Sequence, residues 1–194
     1  MPEQRNQSGM TLVEILVAMV IMGIIITGIY NLFRVHNLMA AKQEETTMMQ
    51  QELLSAMTDM SEELRMCGFS TNVGASFGFN ASGTSDTSVY CTRAISTNNP
   101  TNIIAYTRNA TGNTIMHISP TNEWVDIASN ISDLRFSYFD QDGAEISNIN
   151  ATNVEQVRMI EINATAIPSE ARSKLGISSR NMHTRVWVRN LSFN

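Results

Sequence analysis

The feature that most constrains this chain is a run without a single charge, from Ile15 to Phe33, inside the apolar block MTLVEILVAMVIMGIIITGIYNLF. As an α-helix, 19 residues span about 29 Å at roughly 1.5 Å per residue, close to the roughly 30 Å hydrocarbon core of a bilayer. The run therefore reads as a single membrane span. A cleaved secretory signal fits poorly, because it needs a basic first region and a small-residue cleavage site after the apolar core. Here the small residue, Gly9, stands before it. Charge alone does not orient the span, since Arg5 precedes it and Arg34 and Lys42 follow it.

Glu14 lies inside this apolar block, between Val13 and Ile15. A carboxylate at membrane depth costs about 2.5 to 3.5 kcal/mol unless it is paired or near the interface. A cut after Gly9 creates a partner, because the new α-amino group of Met10 stands four residues away, about one helical turn. The same amine on a neighbouring copy serves equally well.

With those residues in view, the string Gly9, Met10, Thr11, Leu12, Val13, Glu14, after a short polar leader and before an apolar helix, resembles the class III signal of type IV pilins and pseudopilins. The resemblance implies that a prepilin peptidase in the inner membrane cuts after Gly9 and methylates the new amino terminus at Met10. It makes Glu14 the carboxylate that guides the subunit into a growing filament. Phe is commoner in the family where this chain has Met10, and both are apolar. Major pilins commonly carry a Pro partway along the span; this one has only Gly23 and Gly28 as weak points, which favours a minor subunit.

Beyond the span, Met49, Leu53, Ala56, Met60, Leu64 and Cys67 recur at spacings of 4, 3, 4, 4 and 3, a one-sided helical stripe. This stripe reads as core packing against the domain that follows. Glu44, Glu45, Glu52, Asp59, Glu62 and Glu63 read as a solvated opposite face. One helix from about Met10 to Cys67 ends at Gly68. Residues 68–88 hold 14 Gly, Ser, Thr or Asn among 21 and one charge, so 68–92 is expected to be a loop joining helix to sheet. Strands are expected at Asn102–Thr107 and Thr114–Ser119 around RNATGN, at Asp133–Phe139 before DQDG, and at Val157–Ile167 and Thr184–Leu191. In the last strand Val186 and Val188 face the core, and Arg185, Trp187 and Arg189 face water or a partner.

The expected fold class is α+β, and the resemblance makes it a type IV pilin-like fold: a long amino-terminal helix, half transmembrane and half amphipathic, packed on an antiparallel β-sheet. The divisions are a leader over 1–9, a transmembrane and assembly helix over 10–33, its amphipathic half over 34–67, the loop 68–92 and a β-sheet region over 93–194. LRMCGFS, FSYFDQDG and TRVWVRN resemble PilW-type minor pilins, and less closely the J-type pseudopilins of type II secretion. The resemblance implies an inner-membrane subunit with its carboxyl-terminal region in the periplasm, which then enters a pilus or pseudopilus. Its implied partners are other minor pilins and the major pilin, a tip adhesin, the peptidase and the inner-membrane assembly platform.

In that orientation Cys67 and Cys91 both lie outside the membrane. They form either a disulfide tying loop to helix, the favoured reading, or two buried free thiols. Asp140, Asp142 and Glu145 around Gly143 offer carboxylates as some calcium loops do, but the rest of an EF-hand loop is missing, and turn chemistry is the simpler reading. Seven N-x-S/T sequons are the number that chance gives in a chain so rich in Asn, Ser and Thr. His36, His117 and His183 are scattered, and no nucleophile, phosphate-binding or dinucleotide motif occurs, so the chain is read as a non-enzyme without a cofactor. With 43% hydrophobic and 16% charged residues it can build a real core. A formal charge of −5 argues against nucleic acid as its partner.

Overall fold

A computed structural model describes residues 9–70, 78–94, 102–118 and 123–188. Helix α1 runs Leu12–Arg65. Its start is set by Thr11, whose hydroxyl accepts the backbone N–H of Glu14 at 3.3 Å, in the manner of an N-cap. No Pro interrupts it, and after Arg65 the chain turns through residues 66–68 to Gly68, which adopts φ +74°, a conformation open to a residue without a Cβ. The chain divides into two compact units, Met1–Glu44 and Glu45–Asn194. In the first, every described residue from 9 to 40 is exposed.

The second unit holds the hydrophobic core. Met49, Leu53, Ala56, Met57, Met60 and Leu64 of α1 are buried, followed by Cys67, so the helical stripe is a packing face. It meets Val89, Cys91, Ile104, Tyr106 and Ile115 from one antiparallel sheet, and Leu134, Phe136, Tyr138, Ile160 and Ile162 from another. The first sheet has the order β1-β2-β3-β4, with β1 Ser88–Arg93, β2 Asn102–Asn109, β3 Thr114–Ile118 and β4 Trp124–Ala128. The second has the order β5-β6-β7, with β5 Ile131–Phe139, β6 Met159–Ala166 and β7 Arg180–Trp187. Period-2 alternation selects the inward residues: in β6, Ile160, Ile162, Ala164 and Ala166 are buried, while Glu161, Asn163 and Thr165 are partly exposed. Val186 and Val188 are buried and Trp187 is exposed. Arg189 lies outside the described residues.

Four expectations need correction. The expected α+β architecture, a long helix with antiparallel β-structure, is observed, but its strands form two sheets rather than one. The segment 68–92 is not all loop: Val89 and Cys91 face the core from β1, whose alternation is hidden behind a Ser- and Thr-rich approach. Strand β4 escapes pattern reading because it is a five-residue edge strand with only Ala128 buried. The last strand begins at Arg180, four residues before the expected start.

The turn after β5 is compact. Asp140 Oδ1 accepts the backbone N–H groups of Asp142 and Ala144, each at 2.9 Å, and Gly143 takes φ +82°. The N–H of Ile146 returns to the Tyr138 carbonyl at 2.8 Å. Asp140 thus shapes a turn, while Asp142 and Glu145 are exposed. Among the described residues no group of three or more His, Cys, Asp or Glu side chains is placed to hold a metal ion.

Candidate functional site

The amino-terminal segment presents a site whose demands come from outside the chain. Gly9 is exposed, and a Cβ built on it would meet nothing within 4 Å. No packing constraint among the described residues requires glycine at this position. Met10 and Glu14 follow on exposed backbone, Met10 at 69% exposure. Among the described residues no side chain donates a hydrogen bond or forms an ion pair to the Glu14 carboxylate. A charge in an apolar helix with no partner among the described residues is open to a partner elsewhere.

Thr11-Leu12-Val13-Glu14 is also a T-x-x-E string at a helix start. This signature is legible in the sequence and adds a local role: Thr11 caps the first turn while Glu14 occupies the third helical position, where a negative charge meets the positive end of the helix dipole. The helix that follows suits lipid or protein surroundings. Its 18-residue apolar window has no residue buried within the chain. Within the uncharged run the Thr27 hydroxyl donates to the Gly23 carbonyl at 2.8 Å, so it is satisfied inside the helix.

In the second unit the acidic helix residues are not merely solvated. Glu45, Glu52 and Glu63 are spaced by 7 and 11 residues, two and three helical turns, and so fall along one line of α1. Glu45 is 5% exposed; its carboxylate accepts the Ser169 N–H at 2.7 Å and lies 3.6 Å from Arg172 Nε. Those hydrogen bonds from Ser169, helped by the Arg172 charge and opposed by burial, hold the carboxyl below its usual range. Glu52 accepts the N–H and hydroxyl of Ser129, each at 2.7 Å. Glu63 Oε2 accepts the Tyr106 hydroxyl at 2.7 Å and lies 3.0 Å from His117 Nε2; Oε1 is 3.8 Å from Arg93.

The Tyr106 and His117 rings stack at 4.8 Å beneath an open cleft of about 310 Å³ lined also by Asp59, Glu62 and Ile127. Burial, then the adjoining Glu63 carboxylate, pushes the Tyr106 hydroxyl well above its usual range, so it remains a donor. The solvated-face expectation therefore fails at three positions. Each carboxylate meets donors far away in sequence, Ser169 being 124 residues from Glu45.

The structure joins Cys67 to Cys91 in a disulfide with Cα atoms 5.8 Å apart, linking the end of α1 to β1. Both residues are fully buried. The N–H of Gly68 to the Thr92 carbonyl at 3.1 Å, and of Ala94 to the Phe69 carbonyl at 2.8 Å, secure the same junction.

Residues 4–30 match the family model described as the prokaryotic N-terminal methylation motif. No curated protein and no solved structure matches the chain. The matched stretch holds Gly9, Met10 and Glu14 together with most of the uncharged run, and it supports a type IV pilin or pseudopilin-like protein.

Proposed function

We propose that this chain is a minor pilin that takes part in type IV pilus assembly within an initiating or tip complex. In this reading prepilin peptidase cuts after Gly9, Met10 becomes the N-methylated terminus and Glu14 is the assembly carboxylate. The observation that carries it is a methylation motif leading directly into a stretch of helix, residues 12–40, whose apolar residues are all exposed. Exposed apolar surface on that scale needs lipid first and other helices next. The motif belongs to structural subunits, so no reaction is assigned to the chain. Residues 10–33 hold it in the inner membrane, with the β-bearing unit in the periplasm, until it joins the other minor pilins, the major pilin and a tip adhesin on the assembly platform.

The same observations support a second reading, a J-type pseudopilin of type II secretion, which shares the processing and differs in the filament joined. A membrane-anchored periplasmic binding domain outside any filament is the third, and it does not require Glu14.

Glu14→Ala separates the filament readings from the third. The substitution makes the segment more apolar, so processing and membrane insertion are retained. Recovery with sheared pili, normalised to the membrane pool, falls to about one-tenth of wild type or less, since a pairing worth about 1.4 kcal/mol already amounts to tenfold. Glu14→Asp is intermediate. Recovery of Glu14→Ala at the wild-type ratio removes the assembly role.

A further inference from the structure

Between the paired strands β6 and β7 the chain leaves the sheet over residues 167–179, and not one of these residues is buried. The segment carries a 3-10 helix, Glu170–Leu175, which buries none of its side chains and ends at Gly176 in the left-handed region, φ +64°. Beneath it lies Glu45, a carboxylate only 5% exposed on the first residue of the β-bearing unit. The cover is therefore less buried than the charge it covers.

The contacts that dock the segment are polar. Glu45 Oε1 accepts the Ser169 N–H, and Oε2 faces Arg172 Nε. At its start the Ile167 N–H is tied to the Asn130 carbonyl at 2.8 Å, and near its end Ile177 packs partly against the core. An element with few buried apolar contacts opens at a small fraction of the global free energy. A buried ionised carboxylate, by contrast, loses heavily when its donors leave unless water replaces them.

The geometry points to a strap: residues 168–176 dock on and leave helix α1 as a unit, held down by the ionised carboxylate of Glu45, while both sheets stay folded. Undocking hydrates Glu45 and uncovers a negative charge one helical turn ahead of Met49, at the start of the packing stripe. The inference is independent of which filament, if any, the chain enters.

Hydrogen exchange read by mass spectrometry on the full chain in detergent micelles tests it. In the wild type, amides of 169–176 exchange faster than those of Met159–Ala166, and Glu45→Gln speeds the strap amides about tenfold while β6 and β7 are unchanged. Arg172→Ala, a change at a partly exposed side chain that keeps the protein folded, speeds the same amides by a smaller factor. The proposal is overturned if Glu45→Gln leaves strap exchange at the wild-type rate, or if β6 and β7 accelerate in step with the strap. Should Glu45→Gln fail to fold, Arg172→Ala decides alone: a rise confined to the strap supports the proposal, and no rise overturns it.

Discussion

Two stretches of the same helix, Ile15–Phe33 and Glu45–Arg65, have identical backbone conformation and opposite relations to their own chain. The first has no charge and no buried residue. The second is rich in carboxylates yet buries Glu45, Met49, Leu53, Ala56, Met57, Met60 and Leu64. The first stretch holds more apolar surface and spends none of it on the protein's own core. The second has less apolar surface and commits one stripe of it to the core, leaving Met48 and Leu54 exposed and fixing its flank with three carboxylates. A helix that is hydrophobic all round needs surroundings that its chain does not supply, whereas one with a single stripe needs only a sheet to lie on. Helix formation is therefore shared between the stretches, and what stabilises each is not.

The sharpest way to break this comparison is to truncate one apolar side chain in each stretch. Leu53, 1% exposed, leaves a cavity when changed to Ala, and Leu53→Ala is expected to cost the β-bearing unit about 2 to 5 kcal/mol. Ile25, 52% exposed, leaves none, and Ile25→Ala is expected to stay within about 0.5 kcal/mol. Thermal melting of the two full-length variants in the same detergent reads the difference. Equal losses would mean that both stretches serve one core.

The next effect concerns the junction of helix and sheet. Replacing both Cys67 and Cys91 by Ser releases a loop whose ends are separated by 24 residues in sequence, and is expected to cost about 3 kcal/mol. The loss is read as a lower denaturant midpoint with retained helix content. A midpoint equal to that of the wild type would leave the packing stripe alone responsible for holding this end of α1.

The comparison also explains what could be read from the sequence. Gly9, Met10 and Glu14 stand out because the proposed roles are local: a small residue, the amine that a cut after it would create, and a charge one turn on. The stripe from Met49 to Cys67 is legible for the same reason, since periodicity is a property of the helix itself. Glu45, Glu52 and Glu63 look like any solvated acidic face, because their partners are Ser169, Ser129, Tyr106 and His117, set in place by sheets that local pattern cannot register. His117 looked isolated until the pairing of β2 with β3 set it opposite Tyr106. The two missed strands differ in kind: β1 is buried but masked by neighbouring polar residues, and β4 is an exposed edge with little pattern to find.

The smallest expected effect is a pH dependence. The Glu45 carboxyl is held below its usual range when folded, chiefly by the Ser169 hydrogen bonds. Its stabilising contribution is thus complete above the ordinary carboxylate range near 4.5 and is lost as pH falls through the lower folded value. Glu45 is faced by Ser169 and Arg172, and Arg172 keeps its charge throughout this window. Melting between pH 7 and pH 3 should fall less steeply in Glu45→Gln than in the wild type. Identical slopes would show that Glu45 is not held in its charged form by folding.

The account rests most heavily on the first stretch being a processed assembly element, and intact-mass measurement tests that directly. Protein recovered from cells with active prepilin peptidase is expected to begin at Met10, carrying one added methyl group. Gly9→Val, whose branched side chain nothing in the chain itself opposes, is expected to keep residues 1–9 in full. Wild-type protein that retains its leader in those cells, or a Gly9→Val variant cut as well as wild type, would contradict the account.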